Sequence, residues 1–191
     1  MNIIISGITC SGKTTLSNEI LTLNDSTCIL REDDYMKDLC DIPHKGKYYL
    51  MDLPSAYKTH EFETDVYKLL NGELTFYPQY DVFKNKRINK KSIKSKKNVN
   101  IFEGLHTIDI LKDLRDSIKV FMDIDLDTCL ERRIIRDTSL YNVSEEDVRR
   151  YFNEIILSIY KTHIEKQKYM SDVIIRNEED KKCLLKRLQT Y

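Results

Sequence analysis

Eight consecutive residues, Gly7-Ile8-Thr9-Cys10-Ser11-Gly12-Lys13-Thr14, match the pattern GxxxxGK[ST] at every specified position. The chemistry such a run supports is the holding of phosphate. Glycine at positions 7 and 12 lets the backbone curl around an anion, so that successive N–H groups and the start of a following helix converge on β- and γ-phosphates. Lys13 adds a mobile positive charge, and Thr14 offers a hydroxyl to Mg²⁺. Transfer of a phosphoryl group further requires a carboxylate to take the acceptor's proton and cations around the moving group. Glu32-Asp33-Asp34 and Glu103 supply carboxylates, and Arg132, Arg133 and Arg136 supply cations. On this reading Asp33 is the base, Thr14 and Glu103 hold the metal directly or through water, and Arg133 and Arg136 close over the phosphates.

These residues need elements to position them. Ile3, Ile4 and Ile5 form an apolar run before the loop, and Leu16, Ile20 and Leu23 recur at helical spacing after it, which predicts strand, loop and helix in succession. Residues 27–30 predict a second strand whose carboxyl end carries Glu32, Asp33 and Asp34. In open α/β sheets ligands bind at that edge, so the whole acidic cluster is expected to face the phosphate loop. Residues 99–102 predict a third strand ending at Glu103, residues 119–124 a fourth and residues 173–175 a fifth. Helices are expected over residues 60–70, closed by Gly72, over 127–136, and over 180–188. Ser144-Glu145-Glu146-Asp147 reads as a helix start of capping-box type, leading through Val148, Phe152, Ile155 and Ile159 into the longest helix. Residues 37–57, with Pro43, Gly46 and Pro54, read as irregular. Residues 74–98 form a polar insertion with Phe76, Tyr77, Tyr80 and Phe83, expected as a β-hairpin over the site. The alternation predicts an α/β fold, a five-stranded parallel sheet covered by helices on both faces.

Composition bounds the rest. The 191 residues suit one domain spanning residues 1–191. With 31 basic and 31 acidic side chains there is no global pull toward nucleic acid or membrane, and neither is an expected partner. Residues 84–97 carry eight basic side chains and no acidic one, read as a solvated hairpin. The five cysteines form no CxxC pair, and His44, His60, His106 and His163 share no ligand spacing, which argues against disulfides and zinc. The histidines read as surface or packing residues. A phosphate-binding strand from residue 2 and the lack of a long apolar run predict a cytoplasmic protein. Neither Asn85-Lys86-Arg87-Ile88 nor Asn89-Lys90-Lys91-Ser92 completes an NKxD base-reading motif, which counts against a GTPase switch.

The order of motifs resembles the uridine kinase branch of the P-loop kinases, which also holds phosphoribulokinase, pantothenate kinase and nicotinamide riboside kinase. The resemblance runs nearly end to end. It rests on Gly7 to Thr14; on Asp33-Asp34-Tyr35-Met36-Lys37, like the family's DxFYK; on Asp52-Leu53-Pro54-Ser55-Ala56-Tyr57, like DHPxAFD; and on Tyr80-Asp81, like YDF. Ile101-Phe102-Glu103-Gly104 is similar to the strand ending FEG, Arg132-Arg133-Ile134-Ile135-Arg136-Asp137 to the RRxxRD lid, and Ser171-Asp172-Val173-Ile174-Ile175 to ADVII. The resemblance implies a P-loop NTPase-type sheet with an Arg-bearing lid at about residues 132–147, and ATP-dependent phosphorylation of a ribonucleoside 5'-hydroxyl, uridine or cytidine first.

By the same resemblance Gly7, Thr9, Cys10, Ser11, Gly12, Lys13, Thr14 and Thr15 would bind ATP. Thr14, Asp33 and Glu103 would organise Mg²⁺, Asp52 would bind the ribose hydroxyls, and Tyr80 would lie by the nucleobase. Arg133 and Arg136 would stabilise transferred charge. Family members are often tetramers, so a homo-oligomer stays open. Two departures stand out. Asn85 replaces the family's base-reading histidine, with both donor and acceptor capacity, and the lid lacks the family's second pair of arginines. Nicotinamide riboside kinase, from the sequence Gly7 to Leu16 and the double Asp33-Asp34, and a nucleotide-binding regulator with little transfer activity remain the alternatives.

Overall fold

A computed structural model of the chain describes residues 1–23, 26–74, 76–92 and 98–189. Its elements run β1 (Asn2–Gly7), α1 (Lys13–Leu23), β2 (Thr27–Arg31), β3 (His44–Lys45), β4 (Tyr48–Tyr49), α2 (Thr59–Leu70), β5 (Phe76–Asp81), β6 (Lys86–Ser92) and β7 (Val99–Gly104). Then follow α3 (Thr107–Ile110), β8 (Ser117–Met122), α4 (Leu126–Tyr141), α5 (Glu145–Tyr151), α6 (Leu157–Ile159), β9 (Val173–Ile175) and α7 (Glu178–Leu188). Five strands form one parallel sheet in the order β2-β7-β1-β8-β9, so β1 lies at the centre and its carboxyl end opens between β7 and β8. This is the α/β architecture the alternation predicts.

Successive strand side chains point to opposite faces, and the three isoleucines of β1 divide accordingly. Ile4 joins Leu30, Phe102 and Phe121 in the larger core, while Ile3 and Ile5 join Ile101, Val120 and Met122 in the other. The first is covered by α2 and the helical run after α4, the second by α1 and α7. A run apolar at consecutive positions is therefore what a strand covered on both faces requires.

The structure differs from expectation in three places. Residues 37–57 are not wholly irregular: β3 and β4 pair as a small antiparallel hairpin, His44 opposite Tyr49, turning at Gly46 with φ +59°. The expected single helix after Ser144 becomes a continuous helical run in which α5 and α6 alternate with π-helical turns at Phe152–Ile156 and Tyr160–Ile164. Its buried stripe includes Val148, Phe152, Ile156, Tyr160 and Ile164, a four-residue recurrence that outruns the 3.6 of an α-helix, and the wider turns keep it facing the core. The longest α-helix is instead α4, of 16 residues, capped by Asp125 accepting the Thr128 amide at 3.0 Å and ended by Asn142 in the left-handed region. Gly72 follows α2 at φ +77°, where its N–H reaches the Leu69 carbonyl at 3.0 Å, in keeping with the closing role read for it.

The insertion does form a hairpin, β5 against β6, with a register shift at Gln79/Tyr80. Part of the basic run falls at residues 93–97, outside the described residues. Of the remainder, Arg87 pairs with Glu61 at 2.9 Å and Lys84 with Asp81 at 3.4 Å. Among the described residues no helix is long and apolar enough to cross a membrane, and all five cysteines are free.

Candidate functional site

Where β1 ends, the chain turns beneath the sheet edge. A side chain at Gly7 would put Cβ 2.8 Å from Met122 and 2.9 Å from Ser11 Oγ, so only glycine permits this approach. Cys10 and Gly12 take φ of +59° and +97°, which curls residues 7–14 into a cradle at the N-terminus of α1. Lys13 Nζ lies back on the loop, donating to the carbonyls of Gly7 at 3.0 Å and Ile8 at 2.9 Å. Ser11 Oγ is buried without a hydrogen-bond partner among the described residues.

The carboxylates sit at the ends of β2 and β7, as the edge rule requires. Arg31 pairs with Glu103 across these strands, Nε to Oε1 at 2.8 Å, and Thr14 Oγ1 donates to the other oxygen at 3.2 Å. Burial pushes the Glu103 carboxyl up, against the pull of Arg31. Asp33 opens to the crevice, whose walls desolvate it and raise its pKa above the ordinary value, against Lys13. Asp34 accepts the Tyr80 amide at 3.2 Å and so fastens the β5–β6 hairpin to the site.

The acidic cluster does not face the crevice as a whole. Glu32 turns inward and is fully buried. Its Oε2 accepts the His106 amide at 2.9 Å and the Thr107 hydroxyl at 3.4 Å, at the start of α3. Desolvation pushes it from 4.5 to about 8. Its place is made by Gly104, where any Cβ would collide with the Glu32 carboxyl. His106 is a buried packing residue, its Nε2 2.9 Å from the Asp52 carbonyl.

From α4 the arginines reach over the loop. Buried Asp137 holds both, Arg133 Nε at 3.1 Å on one oxygen and Arg136 Nε at 2.7 Å on the other. Arg133 Nη1 continues to Thr9 Oγ1 at 3.1 Å and to Asp52 Oδ1 at 3.7 Å. These groups line one crevice of about 1130 Å³, large enough for two small molecules side by side. Thr9, Cys10, Ser11, Gly12, Lys13, Thr14, Thr15, Asp33, Asp52, Tyr80, Asn85, Glu103, Arg133 and Arg136 all lie along it. Gly7 alone of the expected site residues is not on its wall, acting from below through its missing side chain. Unforeseen residues line it too: Tyr141 and Val143 on the lid, and Arg176 and Lys181 beyond β9. The signal for Arg176 was present, since it follows a strand's carboxyl end.

The model of the phosphoribulokinase / uridine kinase family matches residues 3–183. The uridine kinase of Staphylococcus haemolyticus is 30% identical over 176 residues, covering 90% of this chain and 84% of that protein. That of Halalkalibacterium halodurans is 31% identical over 176 residues, covering 90% and 83%. Among solved structures, a chain from Bacillus stearothermophilus aligns with a TM-score of 0.66 at 17% identity, over 92% of this chain and 88% of that one. The shikimate kinase of Bacteroides thetaiotaomicron aligns with 0.55 at 14%, over 100% and 97%. At such identity these two speak to the fold alone. The phosphate cradle, the five-stranded parallel order and a family match over nearly the whole chain lead to one conclusion: the chain belongs to the phosphoribulokinase / uridine kinase family of P-loop phosphotransferases.

Proposed function

We propose that the protein transfers the γ-phosphoryl group of ATP to the 5'-hydroxyl of a ribonucleoside, with uridine and cytidine the favoured acceptors. The observation that carries this reading is the span of Arg133, whose one guanidinium nitrogen lies 3.1 Å from Thr9 of the phosphate loop and 3.7 Å from Asp52. Donor and acceptor ends of the crevice thus meet at a single cation. The names of the relatives point to the same acceptor class.

The residues fit a Mg²⁺ ion shared with nucleotide phosphates. Thr14, Asp33 and Glu103 offer hard oxygen donors, and among the described residues no cluster of three or more His, Cys, Asp or Glu forms a cage of its own. Glu103 is engaged by both Thr14 and Arg31, which suits it to orient the Thr14 hydroxyl. When bound, the metal neutralises charge on the β- and γ-phosphates.

The chain's own groups do the rest. Lys13 exchanges the Gly7 and Ile8 carbonyls for phosphate oxygens at little cost, since both are hydrogen-bond acceptors. Asp33, its proton affinity raised by its walls, accepts the proton of the 5'-hydroxyl as that oxygen bonds to the γ-phosphorus. The bond from phosphorus to the bridging β–γ oxygen breaks, and ADP leaves. Arg133 and Arg136, held by Asp137, stabilise the charge in transit. Asp52 holds the ribose hydroxyls, and Tyr80 and Asn85 border the base.

Rates of ATP consumption with uridine, cytidine, nicotinamide riboside and non-nucleoside alcohols test this directly. A pyrimidine nucleoside is expected to give the highest kcat/KM. A tenfold preference for nicotinamide riboside, about 1.4 kcal/mol of discrimination, would reassign the acceptor, and turnover only with a non-nucleoside would overturn the proposal.

A further inference from the structure

The hairpin of β3 and β4 has no part in the chemistry above, yet α5 is fastened to it at three points. Lys47 Nζ meets Asp147 at 3.1 Å, the rings of Tyr48 and Tyr151 lie 5.4 Å apart, and the Tyr151 hydroxyl donates to the Tyr49 carbonyl at 2.8 Å. The Tyr151 ring also carries the guanidinium of Arg133, 5.4 Å from its centroid. The polar partners of Arg133 hold edges of the guanidinium: Asp137 at Nε, and Thr9 and Asp52 at Nη1. Edge contacts leave the group free to tilt, whereas an aromatic face against it fixes the plane. The Arg133 side chain is only 13% exposed, so this attraction is little screened by water.

We propose that Tyr151 is the positioning residue for Arg133. Its ring sets the guanidinium between phosphate loop and Asp52, and its hydroxyl ties that ring to the segment 49–52 that carries Asp52. Burial, with the Asp52 carboxylate nearby, pushes the phenol up, so Tyr151 stays a neutral donor in the working pH range. A change in the position of the hairpin is thereby felt at Arg133. The proposal rests on the reading of Arg133 as a residue of phosphoryl transfer.

Steady-state kinetics of Tyr151→Phe, Tyr151→Trp and Tyr151→Leu, each alone and with Arg133→Gln, test it, with folding followed by circular dichroism. The aromatic variants are expected to keep at least about a third of kcat, and Tyr151→Leu to lose about tenfold in kcat with either KM changed less than about twofold. In the Arg133→Gln background the leucine change is expected to have no further effect. Should Tyr151→Leu fail to fold, Tyr151→Met, more adaptable in packing, takes its place. Additive losses from Tyr151→Leu and Arg133→Gln, or equal kcat for aromatic and aliphatic variants, would overturn the proposal while leaving Arg133 in its role. Full kcat in Arg133→Gln alone would instead remove Arg133 from the transfer step, and the positioning role with it.

Discussion

Thr14 Oγ1 and Glu103 Oε2 lie 3.2 Å apart, joining the phosphate loop to the end of β7 by a bond between residues 89 positions apart. The second Glu103 oxygen is taken by Arg31. The carboxylate therefore aims the threonine hydroxyl, and its charge adds to the field at the proposed metal position. Glu103→Gln keeps the shape and loses the charge. It is expected to raise the Mg²⁺ concentration needed for half-maximal rate and to lower kcat by about tenfold to a hundredfold. An unchanged Mg²⁺ dependence would show Glu103 to be a structural partner of Arg31 only.

Asp33 and Asp34 are neighbours with different neighbours of their own. Asp33 opens to the crevice beside Lys13, whereas Asp34 accepts the Tyr80 amide. Asp33→Asn is expected to cost about a hundredfold to ten-thousandfold in kcat with the nucleoside KM little altered. Asp34→Asn is expected to act chiefly on nucleoside KM, through the hairpin, by several-fold. Comparison of kcat and KM for the two variants decides it, and equal losses in kcat would mean that both carboxylates share one task.

Lys13 makes its contacts with backbone carbonyls that water can also satisfy, and it packs against nothing that requires it. Lys13→Ala is thus expected to abolish measurable turnover while the circular dichroism spectrum and melting temperature stay near those of the parent. An unfolded variant would make the lysine a clamp on the loop rather than a phosphate ligand.

Two buried groups set the dependence of stability on pH. Desolvation raises Glu32 from 4.5 to about 8 and lowers His106 from 6.5 to about 4. Between 4.5 and 6.5 they oppose. The folded protein keeps a Glu32 proton that the unfolded chain has released, while the unfolded chain holds a His106 proton that the folded protein lacks. Above 6.5 His106 is neutral in both states and Glu32 acts alone. Stability is therefore expected to fall as pH rises from 6.5 to about 8, at a slope approaching about 1.4 kcal/mol per pH unit. Glu32→Gln should flatten that fall. Chemical denaturation at pH 6.5, 7.2 and 8 measures it, and the same slope in both proteins would contradict it.

The phosphate loop, five strands and the two arginines were legible because each announces itself locally, by glycine spacing, consecutive apolar residues or a repeated basic type. Glu32 was not. Its charge and its place among acidic neighbours suggest exposure, and its burial depends on Gly104, His106 and Thr107, more than 70 positions away. Tyr151 carries no sequence signal beyond being an aromatic residue near the lid. The π-helical turns did leave one, in the four-residue recurrence from Val148 to Ile164, read at first as ordinary helical spacing. The β3–β4 hairpin is marked only by Gly46, too short a signal to separate a turn from a loop.

Those π-helical turns make the length of the chain between lid and β9 a quantity with a direction attached. The helical run starts at Glu145, beside the arginines, and gives way through Glu165–Met170 to β9, after which Arg176 and Lys181 border the far end of the same crevice. Deleting one residue within Phe152–Ile156 would let that turn tighten to an α-helix, swinging all that follows by about 100° around the axis. Ile159, Tyr160 and Ile164 would leave the core, and β9 would have to follow or detach. Exposed loops elsewhere tolerate a change in length by bulging into water. Here a single codon lost would act as a twist, transmitted from one end of the crevice to the other.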